Sequence, residues 1–420
     1  MRAGTTAGPV SRRVPWALVC VLAATMLLDA LEVSSTVVAS PVIGQALGLP
    51  PSGVFWLAGG FAAGFAALLP AAAGLARRFG RRRVHLGALA LFALVSAGCA
   101  AADTGAWLLL GRVVKGACAA LTAPTGLAII LATVPDGPDR RRAVSVYSLC
   151  GAAGFCGGLL LSGLLAGTSW RLVLALPAPA ALVLLGAAAR LVPRDPPGLR
   201  GGRPPAAGEG GLRTLCRHRP LVRASLTAAA FNGAYVVFLL VAAWQLHHRG
   251  GRGPWLTACV FLPAAAPAAL TAWWSARLAL RMGPARSVAA GALLAPVGYL
   301  LFPRDAGAPG SHPAGMLPAT AVLGLAFVLV FTALHLQAVG TVAEELRQQA
   351  TAFYQTCVQA GPVLLAAPAA ALVTTGPDVG PALWLVTAVA AAGALMALTG
   401  PRSRGPGPRA SPSLSTPEAP

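Results

Sequence analysis

Charged side chains are scarce in this sequence of 420 residues, of which only 10% are Asp, Glu, Lys or Arg. A soluble domain usually carries roughly a quarter charged residues. The deficit, together with 56% apolar residues and a mean hydropathy of +0.70, indicates that lipid surrounds most of the chain. Backbone groups in lipid must satisfy their own hydrogen bonds, which leaves helices or closed barrels. The apolar runs last about 20 residues, so helices are expected.

Lysine is nearly absent, since Lys115 is the single lysine against 31 arginines. Because Gly116 follows it, the chain cannot form a Walker A nucleotide loop, and no loop lysine could hold a pyridoxal cofactor. The sequence also lacks the H-E-x-x-H, G-x-S-x-G and C-x-x-C patterns, and its eight cysteines show no paired metal spacing. These absences argue against an enzyme, and we expect neither a cofactor nor a metal.

Acidic residues number only 12 against 32 basic ones, which gives a net charge of +20. In a soluble protein this excess would suggest a nucleic-acid partner. Here the basic residues form short clusters between apolar runs, a pattern typical of membrane orientation. We therefore expect no nucleic-acid partner. We expect a multi-pass protein that lies in the lipid bilayer of the cell membrane and is a monomer.

Twelve apolar segments follow one another along the chain, each about long enough to cross ~30 Å of hydrocarbon. They cover residues 16–40, 53–73, 84–102, 106–131, 143–167, 170–192, 222–245, 255–276, 287–303, 315–338, 350–374 and 380–399. If the chain begins on the inner side, 26 basic residues fall inside and 4 outside. This bias predicts that both the N-terminus and the C-terminus are cytoplasmic.

A stretch rich in Pro, Gly and Arg separates the first six segments from the last six. We expect an N-terminal six-helix bundle over 1–192, a cytoplasmic linker over 193–221, a second bundle over 222–400 and a disordered cytoplasmic tail over 401–420.

The two halves also resemble each other in sequence. The hexapeptide LARRFG, which ends at Gly80, aligns with LALRMG, which ends at Gly283, at an offset of 203 residues. This offset predicts a parallel repeat. The expected fold class is therefore an all-α polytopic membrane protein with twelve transmembrane helices in two pseudo-symmetric six-helix bundles.

Four charged residues lie deep within the predicted segments. Asp29 and Glu32 belong to the first segment, while Arg112 and Lys115 belong to the fourth. Each pair is spaced i, i+3 and so shares one helix face. Depths counted from the segment midpoints predict that Glu32 meets Arg112 and that Asp29 meets Lys115, if the two helices adjoin.

Buried charges are expensive in a membrane and normally serve function. A carboxylate in low dielectric holds a proton more readily, whereas a nearby cation opposes protonation. The four residues are therefore candidates for proton coupling, with the proton gradient as energy source. The alternative is a structural ion-pair cluster that fixes the first helix to the fourth, and the sequence leaves both open.

The repeat offset places Asn232 and Tyr235 at the positions that correspond to Asp29 and Glu32. Because they are uncharged, proton handling is expected in the first half alone, and we regard the two as candidates for contact with a small-molecule substrate. The sequence offers two more cavity candidates in later segments, namely His335 and Gln355. Interhelical hydrogen bonding or simple packing is the alternative for these residues.

The segment GLARRFGRRRV, which begins at Gly74, resembles the signature loop G-x-L-a-D-r-x-G-r-r between helices 2 and 3 of the major facilitator superfamily. The resemblance implies that Gly74 and Gly80 allow close helix approach and a tight turn. It also implies that Arg81 and Arg82 hold a cytoplasmic gating loop. Arg77 stands where the family has an acidic residue.

Two further stretches resemble the drug:proton antiporters of this superfamily. LEVSSTVVASP, from Leu31, is similar to L-D-x-T-x-V-N-x-A-L-P, and RVVKG, from Arg112, is similar to R-x-x-Q-G. The resemblance implies a secondary transporter that exports a small amphipathic drug or antibiotic by alternating access, driven by protons. A proton-coupled metabolite importer and a non-transporting membrane sensor or scaffold are the alternatives.

Overall fold

The computed structural model describes residues 14–194, 210–271, 281–303, 312–375 and 379–399, and these residues form helices and short connections without any strand. The first half contains α1 (Trp16–Ala46), α2 (Pro51–Phe79), α3 (Arg81–Ala100), α4 (Gly105–Thr133), α5 (Pro138–Ala166), α6 (Trp170–Ala175) and α7 (Pro177–Leu191). The second half contains α8 (Gly210–Arg217), α9 (Arg219–His248), α10 (Pro254–Thr271), α11 (Pro284–Leu301), α12 (Leu317–Gly340), α13 (Arg347–Thr375) and α14 (Gly380–Leu398). Short 3₁₀ turns, Pro313–Met316 and Glu344–Leu346, precede α12 and α13.

Most of these helices are long and apolar enough to cross a membrane. Eleven spans in the described part of the chain meet both conditions, with α6 and α7 forming one span, Trp170–Leu191. The remaining apolar helix, Ala285–Leu301 within α11, is slightly shorter. The all-α polytopic fold class is therefore confirmed, with eleven full-length spans and a twelfth shorter one.

The connection between the halves is partly helical. Residues 195–209 and the predicted tail 401–420 lie outside the described residues. Helix α8 and the first residues of α9 fall within the stretch 193–221 that composition assigns to the linker. The boundaries assigned to the two bundles, the linker and the tail stay predictions.

The backbone supports the internal repeat at residue level. Gly80 has φ 91° and ψ 142°, and Gly283 has φ 83° and ψ 138°. Each glycine lies directly before a helix, α3 in the first half and α11 in the second. Because side chains disfavour positive φ, glycine is the residue suited to this bend. The offset of 203 residues thus relates two equivalent turns.

Helix packing follows the same offset. A Cβ atom added at Gly158 in α5 would overlap the backbone of Leu31 in α1. One added at Gly361 in α13, again 203 residues later, would overlap the backbone of Ala229 in α9. Glycines at these positions let corresponding helix pairs in the two halves pack backbone against backbone.

The two halves meet at the end of α1, along α2 against α13, and along α5 against α10. At the end of α1, Gln45 Oε1 lies 3.1 Å from His247 Nε2, near the end of α9. In α2, a Cβ atom built on Gly59 would lie 3.7 Å from the Cβ atom of Ala366 in α13. An apolar cluster crosses this junction and includes, from the first half, Val37, Val38, Val54, Phe55, Ala58 and Leu159.

Candidate functional site

Glu32 lies near the middle of α1 and is 0% exposed. Two cations from α4 converge on one of its oxygens: Arg112 Nη1 binds Glu32 Oε1, and Lys115 Nζ lies 2.6 Å from the same atom. The other oxygen, Oε2, is buried and has no hydrogen-bond partner in the described part of the chain. The structure therefore joins α1 to α4 through a single carboxylate and two positive charges.

The guanidinium of Arg112 is held by two neighbouring helices, α1 and α2. Its Nε donates to the main-chain oxygen of Leu57 in α2 at 2.9 Å, while its Nη1 reaches the side chain of Glu32 in α1. Its Cζ lies 4.9 Å from the ring centroid of Phe61, within the range of a cation–π contact. Arg112 is thus fixed in place by α1 and α2, with little freedom to leave Glu32.

Lys115 occupies a similarly closed environment. The residue is 0% exposed, and its Nζ lies 5.1 Å from the ring centroid of Phe92 in α3. The expected partner from the sequence was Asp29, but the ion pair is formed with Glu32. That part of the prediction is wrong, because the long lysine side chain reaches the carboxylate that already binds Arg112.

Asp29 has a neutral partner instead of a cation. Its Oδ2 accepts a hydrogen bond of 2.7 Å from Thr122 Oγ1, two turns beyond Lys115 on α4. Asp29 is buried, with 6% of its surface exposed. The site consequently contains two different carboxylates: Glu32 is neutralised by cations, and Asp29 is hydrogen-bonded to a hydroxyl. Thr122 carried no signal in the sequence, because buried threonines are common in membrane helices.

Close packing of α2 against α4 sets the position of the cations. A Cβ atom added at Gly116 would overlap the backbone of Phe61, and one added at Gly64 would overlap the backbone of Val113. The two helices therefore touch along their main chains, which brings Arg112 next to the α2 carbonyl that it binds. Gly116 belongs to the recognised motif, whereas Gly64 was missed.

The two second-half residues at the repeat positions use their polar atoms to join helices. Asn232 Nδ2 donates to the main-chain oxygen of Val358 in α13 at 3.0 Å. The hydroxyl of Tyr235 donates to the main-chain oxygen of Ala264 in α10 at 3.1 Å. These contacts match the interhelical alternative, and a role in substrate contact stays a prediction.

His335 lies at the interface between α12 and α13. Its ring centroid is 5.4 Å from that of Tyr354, with the rings inclined at 69°. His335 Nδ1 and the Tyr354 hydroxyl are both buried without a hydrogen-bond partner among the described residues. Gln355 follows Tyr354 on α13 and is partly buried. Tyr354, a large aromatic residue in an apolar segment, was not recognised from the sequence.

The signature loop is attached to the ends of two helices. Arg81 Nη1 donates to the main-chain oxygen of Ala128 in α4 at 3.3 Å, and Arg82 Nη2 donates to that of Ala189 in α7. Both acceptors lie in the C-terminal parts of their helices, where cations are stabilised. The tight turn at Gly80 is present, but Gly74 has nothing within 4 Å of an added Cβ atom. The expected close helix approach at Gly74 is therefore not found.

Long apolar helices in two repeats, the first of which contains an acid–base cluster, define a multi-pass α-helical membrane protein. The sequence model described as Major Facilitator Superfamily matches residues 22–366. The chain belongs to this superfamily, whose members are transporters and not enzymes.

Several curated proteins are similar to part of the chain. The cephamycin export protein CmcT of Amycolatopsis lactamdurans is 30% identical over 63% of this chain and 50% of its own length. The MFS-type transporter EfpA of Mycobacterium tuberculosis is 32% identical over 40% of this chain and 32% of its own length. The multidrug efflux pump LfrA of Mycolicibacterium smegmatis is 34% identical over 45% of this chain and 38% of its own length. The chain thus spans between a third and a half of the length of these relatives.

Solved structures share the fold over nearly the whole chain. A crystal structure of the nucleoside transporter NupG aligns with a TM-score of 0.75 and 12% identity, covering 92% of this chain and 99% of NupG. A bacterial homologue of the human lysosomal transporter Spinster aligns with a TM-score of 0.68 and 20% identity, covering 92% of this chain and 94% of the homologue. At these identities the comparison establishes the fold alone.

Proposed function

We propose that this chain is a secondary active transporter of the cell membrane that exports a small amphipathic drug or antibiotic in exchange for protons. Relatives named for cephamycin export and multidrug efflux support this direction of transport. The observation that carries the proposal is the separation of two buried carboxylates on α1, one bound by two cations and one bound by a hydroxyl.

This separation assigns different roles to the two acids. Protonation of Glu32 would leave Arg112 and Lys115 buried without a counter-charge, which is costly in a low-dielectric interior. Protonation of Asp29 breaks no ion pair among the described residues, because its hydrogen-bond partner is Thr122. Asp29 is therefore the group that exchanges the proton, and Glu32 remains the fixed anion of the cluster. When Asp29 is ionised, the four charged groups sum to zero.

Helix α1 links this chemistry to movement of the two halves. The same helix that carries Asp29 also carries Val37 and Gln45, which lie at the junction with the second half. If the arginine clusters mark the cytoplasm, this junction lies on the outer side. The conformation described then corresponds to a transporter closed to the outside, and a change at Asp29 acts on a helix that forms the closed seal.

The cavity chemistry favours an amphipathic substrate without a required positive charge. Both buried acids are already engaged, by cations or by a hydroxyl. On α12 and α13, His335 Nδ1 and the Tyr354 hydroxyl have no partners among the described residues and can bind polar groups. A substrate with an apolar body and one or two hydrogen-bonding groups fits these requirements.

Transport by purified protein in proteoliposomes tests the proposal. An imposed pH gradient should drive a cephamycin across the membrane, with proton movement in the opposite direction. Asp29→Asn keeps an oxygen that can accept from Thr122 but removes the titrating group, so it should lose gradient-driven transport by about 100-fold. Exchange of labelled for unlabelled substrate at equal pH should continue. Gradient-driven transport at the normal rate in this variant would refute the assignment, and coupled movement of protons and substrate in the same direction would support the importer instead.

A further inference from the structure

We infer that His85 is the proton acceptor between Asp29 and the cytoplasmic side, because both residues contact the same turn of α4. The inference deepens the proposed function and rests on its proton exchange at Asp29. His85 lies in α3, one helical turn after Arg81 of the signature loop, and is 0% exposed. The segment GLARRFGRRRV, which carries the resemblance to the signature loop, ends one residue before it.

A short series of contacts connects the two groups. Thr122 Oγ1 lies 2.7 Å from Asp29 Oδ2, and the main-chain oxygen of Thr122 lies 3.2 Å from Thr125 Oγ1. His85 Nδ1 lies 3.1 Å from the same Thr125 oxygen. Asp29 and His85 therefore approach α4 within one helical turn of each other, although they come from different helices.

The hydrogen bonds of Thr125 assign the proton on the histidine ring. Thr125 has one hydroxyl proton, and its oxygen lies 2.5 Å from the main-chain oxygen of Leu121, which can only accept. The hydroxyl therefore donates to Leu121 and must accept from His85. In neutral His85, Nδ1 then carries the hydrogen and Nε2 carries a free lone pair.

The free nitrogen is what distinguishes this histidine from a packing residue. His85 Nε2 is buried and has no hydrogen-bond partner among the described residues. A buried polar atom left unpaired costs about 1–3 kcal/mol. A purely structural histidine would be expected to satisfy both ring nitrogens. Here the lone pair of Nε2 is left without a partner and is available to a proton donor.

Neighbouring ionisable groups leave Asp29 as the acid that serves His85. On α5, the hydroxyl of Tyr147 is occupied by the main-chain oxygen of Ala123 at 2.7 Å. On α3 itself, Arg81 and Arg82 are bound to helix carbonyls, and on α4 Lys115 is paired with Glu32.

Proton transfer from Asp29 to His85 breaks one bond and forms one bond. The O–H bond of protonated Asp29 breaks and an N–H bond forms at His85 Nε2, which gives a carboxylate and an imidazolium. The carbonyl between Thr122 and Thr125 cannot relay a proton, so a water molecule must bridge the two groups as the cavity hydrates. The imidazolium then releases its proton to cytoplasmic water beside the signature loop, and His85 returns to its neutral form.

The variant His85→Asn tests this inference, because its amide can still donate to Thr125 but cannot accept a proton at physiological pH. In proteoliposomes, gradient-driven transport of a cephamycin should fall by about 100-fold, whereas exchange at equal pH should stay at the wild-type rate. Thr125→Ser, which keeps the hydroxyl, should preserve driven transport, and Thr125→Val should lower it. His312→Asn, at an exposed position, is the matched control and should change neither activity.

The outcomes separate this inference from the proposed function. Normal driven transport in His85→Asn, together with its loss in Asp29→Asn, would overturn the role of His85 and leave proton exchange at Asp29 intact. Loss of both driven transport and exchange in His85→Asn would mark the residue as structural and would also overturn the inference. Normal driven transport in both variants would refute the proposed function as well.

Discussion

Lys115 Nζ lies 2.6 Å from Glu32 Oε1, and neither side chain is more than 1% exposed. Because Arg112 binds the same oxygen, the cluster has one more positive than negative charge. Removing the carboxylate would leave two buried cations unpaired. Removing the lysine would leave a balanced pair of Glu32 and Arg112. The cluster is therefore far more sensitive to loss of the acid than to loss of one base.

This asymmetry can be measured as protein stability. Glu32→Gln should lower the free energy of unfolding by about 3–5 kcal/mol, the usual effect of breaking a buried ion pair. Lys115→Met has similar length without charge and should be neutral or stabilising. Thermal unfolding of the two purified variants in the same detergent provides the comparison. Equal stability of the two variants would contradict the shared-carboxylate arrangement.

Glycines on α2 differ in what surrounds them. Gly64→Ala would push a methyl group into the backbone of α4 and should cost about 1–3 kcal/mol through overpacking. Gly74→Ala meets nothing within 4 Å and should gain up to about 1 kcal/mol from helix propensity. Thermal unfolding distinguishes the two. A destabilised Gly74→Ala variant would indicate that a helix approaches Gly74 in another conformation of the transport cycle.

The junction between the halves offers a site for a reversible disulfide cross-link, which would lock the halves together. The Cβ positions of Gly59 and Ala366 are 3.7 Å apart, close to the mean of about 3.8 Å in disulfides. In a cysteine-free background, Gly59→Cys with Ala366→Cys should form a disulfide on oxidation and stop transport. Reduction should restore transport, which is followed in proteoliposomes.

A pair within one half serves as the control for this lock. Gly393→Cys with Ala230→Cys joins α14 to α9, where the Cβ positions are 3.1 Å apart. Because both helices belong to the second half, this cross-link should not block rocking of the halves. Full activity of the oxidised Gly59–Ala366 variant would argue against movement of the halves at this junction.

Two tyrosines in the second half should respond differently to loss of the hydroxyl. Tyr354→Phe removes a hydroxyl that has no hydrogen-bond partner in the described part of the chain, and it should raise the KM for substrate by about fivefold with unchanged stability. Tyr235→Phe removes the hydrogen bond to Ala264 and should lower stability by about 1 kcal/mol with little effect on KM. Uptake kinetics and thermal unfolding measure both effects. The reverse pattern would place the substrate beside Tyr235.

Long apolar runs allowed most helices to be predicted, since lipid leaves the backbone few other choices. The end of α1 was harder to place: the predicted segment stops at residue 40, whereas the helix continues through Pro41 to Ala46. Neighbouring helices can support proline inside a membrane helix, so proline is a weak end signal there.

The deep charges were found because they are rare, but their partners were not all predictable. Spacing along a helix gives the helix face of a residue and its depth in the membrane. Which carboxylate a lysine contacts also depends on how far its side chain extends. Neutral residues such as Thr122 and Tyr354 have no distinguishing pattern in the sequence, and only the structure shows which atoms they contact. His85 Nε2 is a similar case, because its lone pair follows from a hydrogen bond made by Thr125.

Helix α1 places Glu32 and Gln45 on one continuous element, 13 residues and about 20 Å apart. Because α1 is one continuous helix, fixing either of its ends would restrict movement of the other. A compound that bridges Gln45 and His247 would hold this contact closed and, under the proposed mechanism, would halt proton exchange at Asp29 without occupying the substrate cavity. In the proposed orientation such an inhibitor would act from outside the cell, would not compete with the substrate, and would not itself need to cross the membrane.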